Sequence, residues 1–311
     1  MKIYKDVKDF EKIKNPVVTI GTFDGVHIGH QMVIASVIES AKAVDGESVL
    51  ITFEPHPRKV VQPGFTLRLI LSMDERIRFF EQLGIDHLFI IHFTKEFSQL
   101  SSEEFFQKYI FKPLRPVKII IGYDHQFGKD RSGDIHFLRQ MAGRHGFSIE
   151  QVEMKDMDNQ PVSSTRVRDA IKKGDMKLVS QLLGFHYSIS GTVVLGNQIG
   201  RTLGFPTANI QPDESEKLIP YYGVYASLVE VEGKIYEGMS NIGIRPTLNE
   251  HHLTIEVHIF DFNQDIYGKK IRLFFIAHTR DEKRFRDLDL LRRRLVIDQV
   301  KVKKILREEK K

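Results

Sequence analysis

Short apolar runs alternate with amphipathic stretches through the first half of the chain. Val17-Val18-Thr19-Ile20 reads as a buried strand, followed by a glycine-rich loop and a helix from about His30 to Ala43. Val49 to Phe53 is a second strand, stopped by Pro55 and Pro57; Met73 to Leu83 has helical spacing; His87 to Ile91 is a third strand. Ser102 to Tyr109 predicts helix, Val117 to Ile121 a fourth strand, Phe137 to His145 a helix, and Ser148 to Val152 a short strand. Strands that alternate with helices predict βαβ units and a doubly wound, Rossmann-like α/β domain around a parallel sheet.

The pattern changes near Gly184, which ends a last helix over Met176 to Leu183. Beyond it come runs of β-branched and aromatic residues: Tyr187 to Val194, Val224 to Val231, Ile235 to Ile242, Thr254 to Phe262 and Ile271 to His278. Glu232-Gly233-Lys234 between the second and third is a hairpin signal. Closely spaced strands without helices predict an antiparallel barrel or sandwich. The chain closes with a helix that sets Leu288, Leu291, Leu295, Val302, Ile305 and Leu306 on one face and Arg and Lys on the other. Two domains are expected, 1–184 and 185–311.

Composition trims the possibilities. The 311 residues contain no cysteine, which excludes disulfides, zinc–thiolate sites and thiol nucleophiles, and no tryptophan. No stretch reaches the roughly 20 apolar residues of a membrane span, and charges at Lys2, Lys5 and Asp6 stand where a signal peptide has its apolar segment. A cytoplasmic protein is expected. The net charge of +5 invites a nucleic-acid reading, but Glu282 to Lys311 alone holds 12 basic and six acidic residues. The body of the chain is therefore balanced, and the excess belongs to a solvated helix face. Nucleic acid and membrane are not expected partners, and the oligomeric state is left open.

The most specific local feature is Gly21-Thr22-Phe23-Asp24-Gly25-Val26-His27-Ile28-Gly29-His30, between a strand and a helix. That is the carboxyl edge of a parallel sheet, where open α/β folds bind ligands. Glycines permit close backbone approach, and the helix N-terminus offers N–H groups to phosphates. Two histidines three apart can face one phosphate chain. Later strand ends add Glu54-Pro55-His56-Pro57 and Gly122-Tyr123-Asp124-His125-Gln126-Phe127-Gly128, and Ser163-Ser164-Thr165-Arg166-Val167-Arg168 opens a helix with capping hydroxyls and phosphate-binding arginines.

His-Ile-Gly-His also occurs in class I aminoacyl-tRNA synthetases and in smaller nucleotidyltransferases, so alone it indicates nucleotide handling and not the acceptor. A synthetase would carry a Lys-Met-Ser-Lys-Ser-type loop, which this sequence lacks. The four segments together resemble the FAD synthetase (FMN adenylyltransferase) module of bacterial bifunctional riboflavin kinase/FAD synthetases, over residues from about 15 to 183. The resemblance implies that the phosphate of FMN attacks the α-phosphorus of ATP, with His27 and His30 on the ATP phosphates and His56 near them. Gly21, Phe23, Asp24, Gly29 and Asp124 would complete the ATP site, Ser164, Thr165 and Arg168 would bind phosphates from the opposite side, and Mg²⁺ would screen their charge. The family often has an aromatic after the Asn or Asp of the third segment; here Asp124 is followed by His125.

In the second half there is no Gly-x-x-x-x-Gly-Lys-Ser/Thr loop, so a P-loop kinase is excluded. Glycines at 191, 196, 200 and 204 nevertheless allow backbone to close over phosphates. Thr207 and Asn209 are oxygen donors two apart in an extended segment, suited to a hard cation. Glu256, His258 and Phe260 alternate on one strand face; a carboxylate facing into a small barrel is costly without a task or partner, and a lone Glu in a strand is otherwise expected in solvent. Pro206-Thr207-Ala208-Asn209, Asn241-Ile242-Gly243-Ile244-Arg245-Pro246-Thr247, the Glu256-x-His258 strand and Asp265-Ile266-Tyr267-Gly268 follow in order. Together they resemble the riboflavin kinase module of the same enzymes over about residues 185 to 290, which implies a Greek-key β-barrel with a C-terminal helix. Glu256 would be the base that activates the ribityl hydroxyl. Thr207 and Asn209 would bind Mg²⁺–nucleotide, and Gly191, Gly200, Arg201, Gly204, Pro206, Asn241, Arg280 and Phe285 would contact ATP or flavin. The implied substrates and products are riboflavin, FMN, FAD and ATP.

Overall fold

The computed structural model describes residues 1–311 except 63, 65, 159, 197–198, 247–250 and 310–311. Contacts divide the chain into two compact units, Met1–Ser164 and Thr165–Lys311.

Six strands of the first unit form one sheet: β1 (Lys2–Tyr4), β2 (Val17–Ile20), β3 (Ser48–Glu54), β4 (His87–His92), β5 (Lys118–Gly122) and β6 (Ser148–Val152), in the order β1-β4-β3-β2-β5-β6. Every pairing is parallel. The helices are α1 (Ile28–Ala43), α2 (Pro57–Val61), α3 (Met73–Leu83), α4 (Ser102–Phe105), α5 (Lys112–Leu114) and α6 (Ile135–His145), with a π turn, Phe106–Phe111, joining α4 to α5. A ribbon of β7 (Asp156–Met157) and β8 (Gln160–Pro161) completes the unit.

Local sequence explains these limits. Ser72 and Glu75 form a reciprocal capping box that starts α3, and Gly84, with φ +93°, ends it in the left-handed conformation. All four residues of β2 are buried because both sheet faces are covered. Val17 packs with Val33, Val37 and Ala41 of α1. Its neighbours Val18 and Ile20 join the opposite layer with Phe53, Phe105 and Phe106. Since β2 lies between β3 and β5, the chain winds first one way and then the other, which opens a crevice at the carboxyl ends of β2 and β5.

The second unit takes up α7 (Ser164–Lys173) from Thr165 on, and α8 (Met176–Leu183) packs on a barrel strand. The contact division thus precedes the change of composition at Gly184. The barrel strands are β9 (Ser188–Val194), β10 (Ala208–Pro212), β11 (Gly223–Val231), β12 (Lys234–Pro246), β13 (His251–Ile259) and β14 (Lys270–Arg280). They close in the order β10-β13-β12-β11-β14-β9, antiparallel throughout. A short α9 (Ile199–Thr202) precedes β10, and α10 (Leu288–Glu309) ends the chain. The hairpin expected at Glu232-Gly233 is a two-residue turn with φ +49° and +78°, which matches the right-handed twist of its strands.

Val302 and Leu306 of α10 pack with Val224, Ala226, Met239, Phe260 and Ile276 on the outside of the barrel. Leu288, expected on the buried face, is 54% exposed, because the helix starts there and its first turn overhangs.

Candidate active sites

The loop after β2 takes an unusual path: Phe23, Gly25 and Val26 have φ of +47°, +91° and +41°. For a β-branched valine this is a strained conformation that surrounding contacts must hold. Several do. The Asp24 carboxylate, fully buried, accepts the backbone N–H groups of Ile70 and Leu71 at 3.1 and 3.4 Å. The Gln31 amide donates to Val26 O at 2.7 Å, and Ser164 Oγ donates to Asp24 O at 2.8 Å. Asp24 therefore shapes the loop through its carboxylate. Phe23 is buried edge-on to His30, with ring centroids 5.2 Å apart.

The two histidines meet as their spacing predicts. His27 is the N-cap of α1, and its ring stacks on that of His30 with centroids 3.6 Å apart. His27 Nδ1 accepts the His30 backbone N–H at 3.3 Å, so a neutral ring carries its proton on Nε2. A Cβ at Gly29 would stand 3.3 Å from the His27 ring, so glycine lets the imidazole lie against the helix start. Burial first, then the charges of His27 and Arg76, holds the His30 imidazole well below its ordinary pKa. His30 Nδ1 is buried with no hydrogen-bond partner among the described residues.

His56 follows β3, beside β2 in the sheet, and repeats the device. It N-caps α2 with Nδ1 accepting the Arg58 N–H at 3.2 Å, and Pro57 occupies the first helical position. Asp124 leaves β5 on the other side of β2 and is exposed. Next to it, burial lowers the His125 pKa to about 4, and His125 Nε2 has no hydrogen-bond partner among the described residues. Ser164 begins α7, with Thr165 exposed and Arg168 half-buried in its first turns.

In the barrel, strand register brings the predicted polar residues into one row. Asn209 of β10 and Asn241 of β12 both lie directly opposite Glu256 of β13, one on each side. Directly opposed residues share a sheet face. Glu256, His258 and Phe260 lie outside the barrel. His258 pairs with Met239, and Met239 and Phe260 pack with Val302 and Leu306 of α10. The alternate residues Ile255, Val257 and Ile259 are buried and face inward. Glu256 thus escapes the cost of a carboxylate in a small core.

Glycines permit close contacts with β10 and the segment before it. A Cβ at Gly196 would lie 2.0 Å from Asn209 Nδ2, one at Gly200 2.3 Å from Phe205 O, and one at Gly191 2.4 Å from Gln211 O. Gly204 has φ +83°. His258 Nδ1 lies 2.8 Å from Pro206 O; a carbonyl only accepts, so the ring proton sits on Nδ1 and ties the Pro206-Thr207 segment to β13. Burial is also the main cause that lowers the His258 pKa. Arg201 on α9 is exposed. Arg280 contacts the Phe285 ring at 5.9 Å and donates to the buried Asp298 of α10 at 2.8 Å. Gln198, Asn197 and Thr247, parts of the segments singled out above, lie outside the described residues.

Comparison with known proteins bears on both units. A family model described as FAD synthetase matches residues 9–166, and one described as riboflavin kinase matches residues 183–306. A bifunctional riboflavin kinase/FMN adenylyltransferase from Pseudomonas fluorescens is 36% identical over 278 residues, 89% of this chain and 88% of the relative. The chain belongs to the bifunctional riboflavin kinase/FMN adenylyltransferase family. Another relative of that description, from Bacillus subtilis, is 36% identical over 280 residues, 88% of this chain and 87% of its own. Among solved structures, one described as a macrolide-efflux protein from Streptococcus pneumoniae has a TM-score of 0.89 and 32% identity, covering 97% of this chain and 98% of its own. No helix of the described residues is long and apolar enough to cross a membrane.

Two buried charges of this family member escape the sequence reading. Arg76 and Asp298 were each legible as a charge on an apolar helical stripe: Arg76 precedes the buried Phe80 by four, and Asp298 stands three after Leu295 and four before Val302.

Proposed function

We propose that the chain performs two successive reactions: the barrel unit phosphorylates riboflavin to FMN with ATP, and the parallel-sheet unit transfers the adenylyl group of a second ATP to FMN, giving FAD and pyrophosphate. The observation that carries this reading is the order of the two family matches, each falling on residues whose chemistry suits its step. ATP supply and the cysteine-free composition favour a cytoplasmic setting.

The two reactions ask different things of the protein. In adenylyl transfer the phosphate of FMN is already a nucleophile; its oxygen bonds to the α-phosphorus as the bond to pyrophosphate breaks. Catalysis then consists of alignment and charge stabilisation. His27 and His56, each fixed by its cap as an Nε2–H donor, suit phosphate oxygens. His30 stays neutral at physiological pH. Gly21, Phe23, Asp24 and Gly29 form the nucleotide loop, and Asp124, Ser164, Thr165 and Arg168 keep the ATP-binding roles given above as part of this proposal.

In phosphorylation a ribityl hydroxyl must lose its proton as it attacks the γ-phosphorus. Glu256 accepts that proton. Thr207 and Asn209 are the residues that would hold Mg²⁺, whose charge would offset that of the ATP phosphates. The donor set fits a hard cation: Thr207 and Asn209 offer neutral oxygens, the Glu256 carboxylate lies opposite Asn209 in register, and glycine at 196 lets the backbone lie against the Asn209 amide. His258 positions this segment through Pro206 O. Gly191, Gly200, Arg201, Gly204, Pro206 and Asn241 surround the nucleotide, and Arg280 and Phe285 the flavin.

Glu256→Gln keeps shape and removes the base. FMN formation is expected to fall by about 10²–10⁴-fold, while FAD formation from supplied FMN and ATP continues. Chromatography of both flavins, with Mg²⁺ present, decides it. Loss of both activities, or of neither, would sink the two-site assignment.

A further inference from the structure

Arg76 is the least expected charge in the first unit. It sits on α3 with its side chain 1% exposed. One guanidinium nitrogen donates to Thr22 O at 2.8 Å and reaches Thr52 Oγ1 at 3.4 Å; the other donates to Glu54 Oε2 at 2.9 Å. Its Nε is buried with no hydrogen-bond partner among the described residues. Burial lowers its pKa from the ordinary arginine value, and the carboxylates of Asp24 and Glu54 act in the opposite direction.

The partners show what the charge is for. Thr22 opens the strained loop that leads to His27 and His30, and Glu54 ends β3 immediately before Pro55-His56. Those are the two loops that carry all three histidines of the proposed phosphate site. A buried ion pair offers little net stability against a well-packed apolar alternative, because both groups give up water. A planar fork that fixes two acceptors at once offers geometry.

We propose that Arg76 is a positioning residue for adenylyl transfer, one guanidinium that locks the Thr22 and Glu54 loops in register so that His27, His30 and His56 address the same phosphate chain. The proposal rests on the adenylyltransferase reading. Lysine retains the charge but only one point of attachment, so it supports one loop at a time. Misplacement of reacting groups by about 1 Å costs on the order of 10²-fold in rate.

The test compares the full chain with Arg76→Lys, Arg76→Gln and Glu54→Gln, the last at a side chain 39% exposed, where substitution leaves the core intact. Steady-state FAD formation from supplied FMN and ATP, its pH profile, and thermal unfolding are measured for each. The expected result is a kcat lowered 10- to 100-fold in Arg76→Lys and in Glu54→Gln, with the KM for ATP changed less than about threefold. Riboflavin phosphorylation should continue at the wild-type rate. Arg76→Gln should also move the acid limb of the profile to higher pH, because the charge that helps keep His30 neutral is gone. Folded variants with a kcat within threefold of wild type would overturn the proposal and leave the adenylyltransferase reading standing. If Arg76→Gln fails to fold, the other two variants decide. Wild-type protein that forms no FAD removes both ideas together.

Discussion

Four imidazoles of the first unit illustrate how backbone geometry and burial set side-chain chemistry. His27 and His56 each spend Nδ1 on a helix cap, and His30 and His125 are kept neutral by burial. A histidine whose pKa is lower folded than unfolded stabilises the native state above its unfolded value near 6.5, and loses that contribution as pH falls toward the folded value. For His125 the window runs from about 6.5 down to about 4 and is worth up to roughly 3 kcal/mol. Thermal unfolding from pH 7 to 4.5 should therefore show a falling midpoint. His125→Phe, the aromatic expected by resemblance, should flatten that fall. An unchanged slope would show that other groups govern acid sensitivity.

Helices and strands carried most of what could be read in advance, for reasons visible in particular segments. α3 and α8 begin and end where expected because an Asp or Ser cap and a left-handed glycine mark both ends. β1 is three residues long, and β10 is a polar stretch between Pro206 and Pro212; neither presents enough apolar alternation to be found. Histidine spacing and the Asn209, Glu256 and Asn241 candidates were legible as chemistry, but their alignment in one row is a property of register between distant strands. The outward face of Glu256 was equally hidden, since alternation gives two faces without saying which one α10 covers. At α10 that covering depends on a carboxylate. Asp298 is fully buried, with Arg280 at 2.8 Å and Arg294 at 2.9 Å from its oxygens, the latter as an ion pair without hydrogen-bond geometry. Asp298→Ala leaves Arg280 without its partner and should destabilise the second unit by about 3–5 kcal/mol, with Arg294 adding little because it is partly solvated. Urea titration followed by circular dichroism measures it, and a change under 1 kcal/mol would exclude the pairing as an anchor.

At the scale of the whole molecule, basic character proved to be a local matter. Lys301 donates to Thr279 O and Lys303 stands 5.1 Å over the Phe260 ring, so part of the charge of α10 is engaged with its own barrel. What joins the two units functionally is FMN, product of one step and substrate of the next. The histidines proposed for adenylyl transfer lie in the first unit and Glu256 in the second, and Thr165 and Arg168, assigned to the adenylyl site, belong to the second unit as well; the two sites share no proposed residue, so a variant impaired at one is expected to retain the other. On the proposed assignment, a mixture of Glu256→Gln, impaired in making FMN, and His30→Ala, impaired in using it, should convert riboflavin to FAD. Its rate should equal that of wild type at the same concentration of each intact site, after the same lag while FMN accumulates. Excess unlabelled FMN should dilute labelled riboflavin out of FAD equally in both. Wild-type protein that shows no lag and resists dilution, beside a mixture that does neither, would mean that FMN passes between sites of one molecule without entering solution.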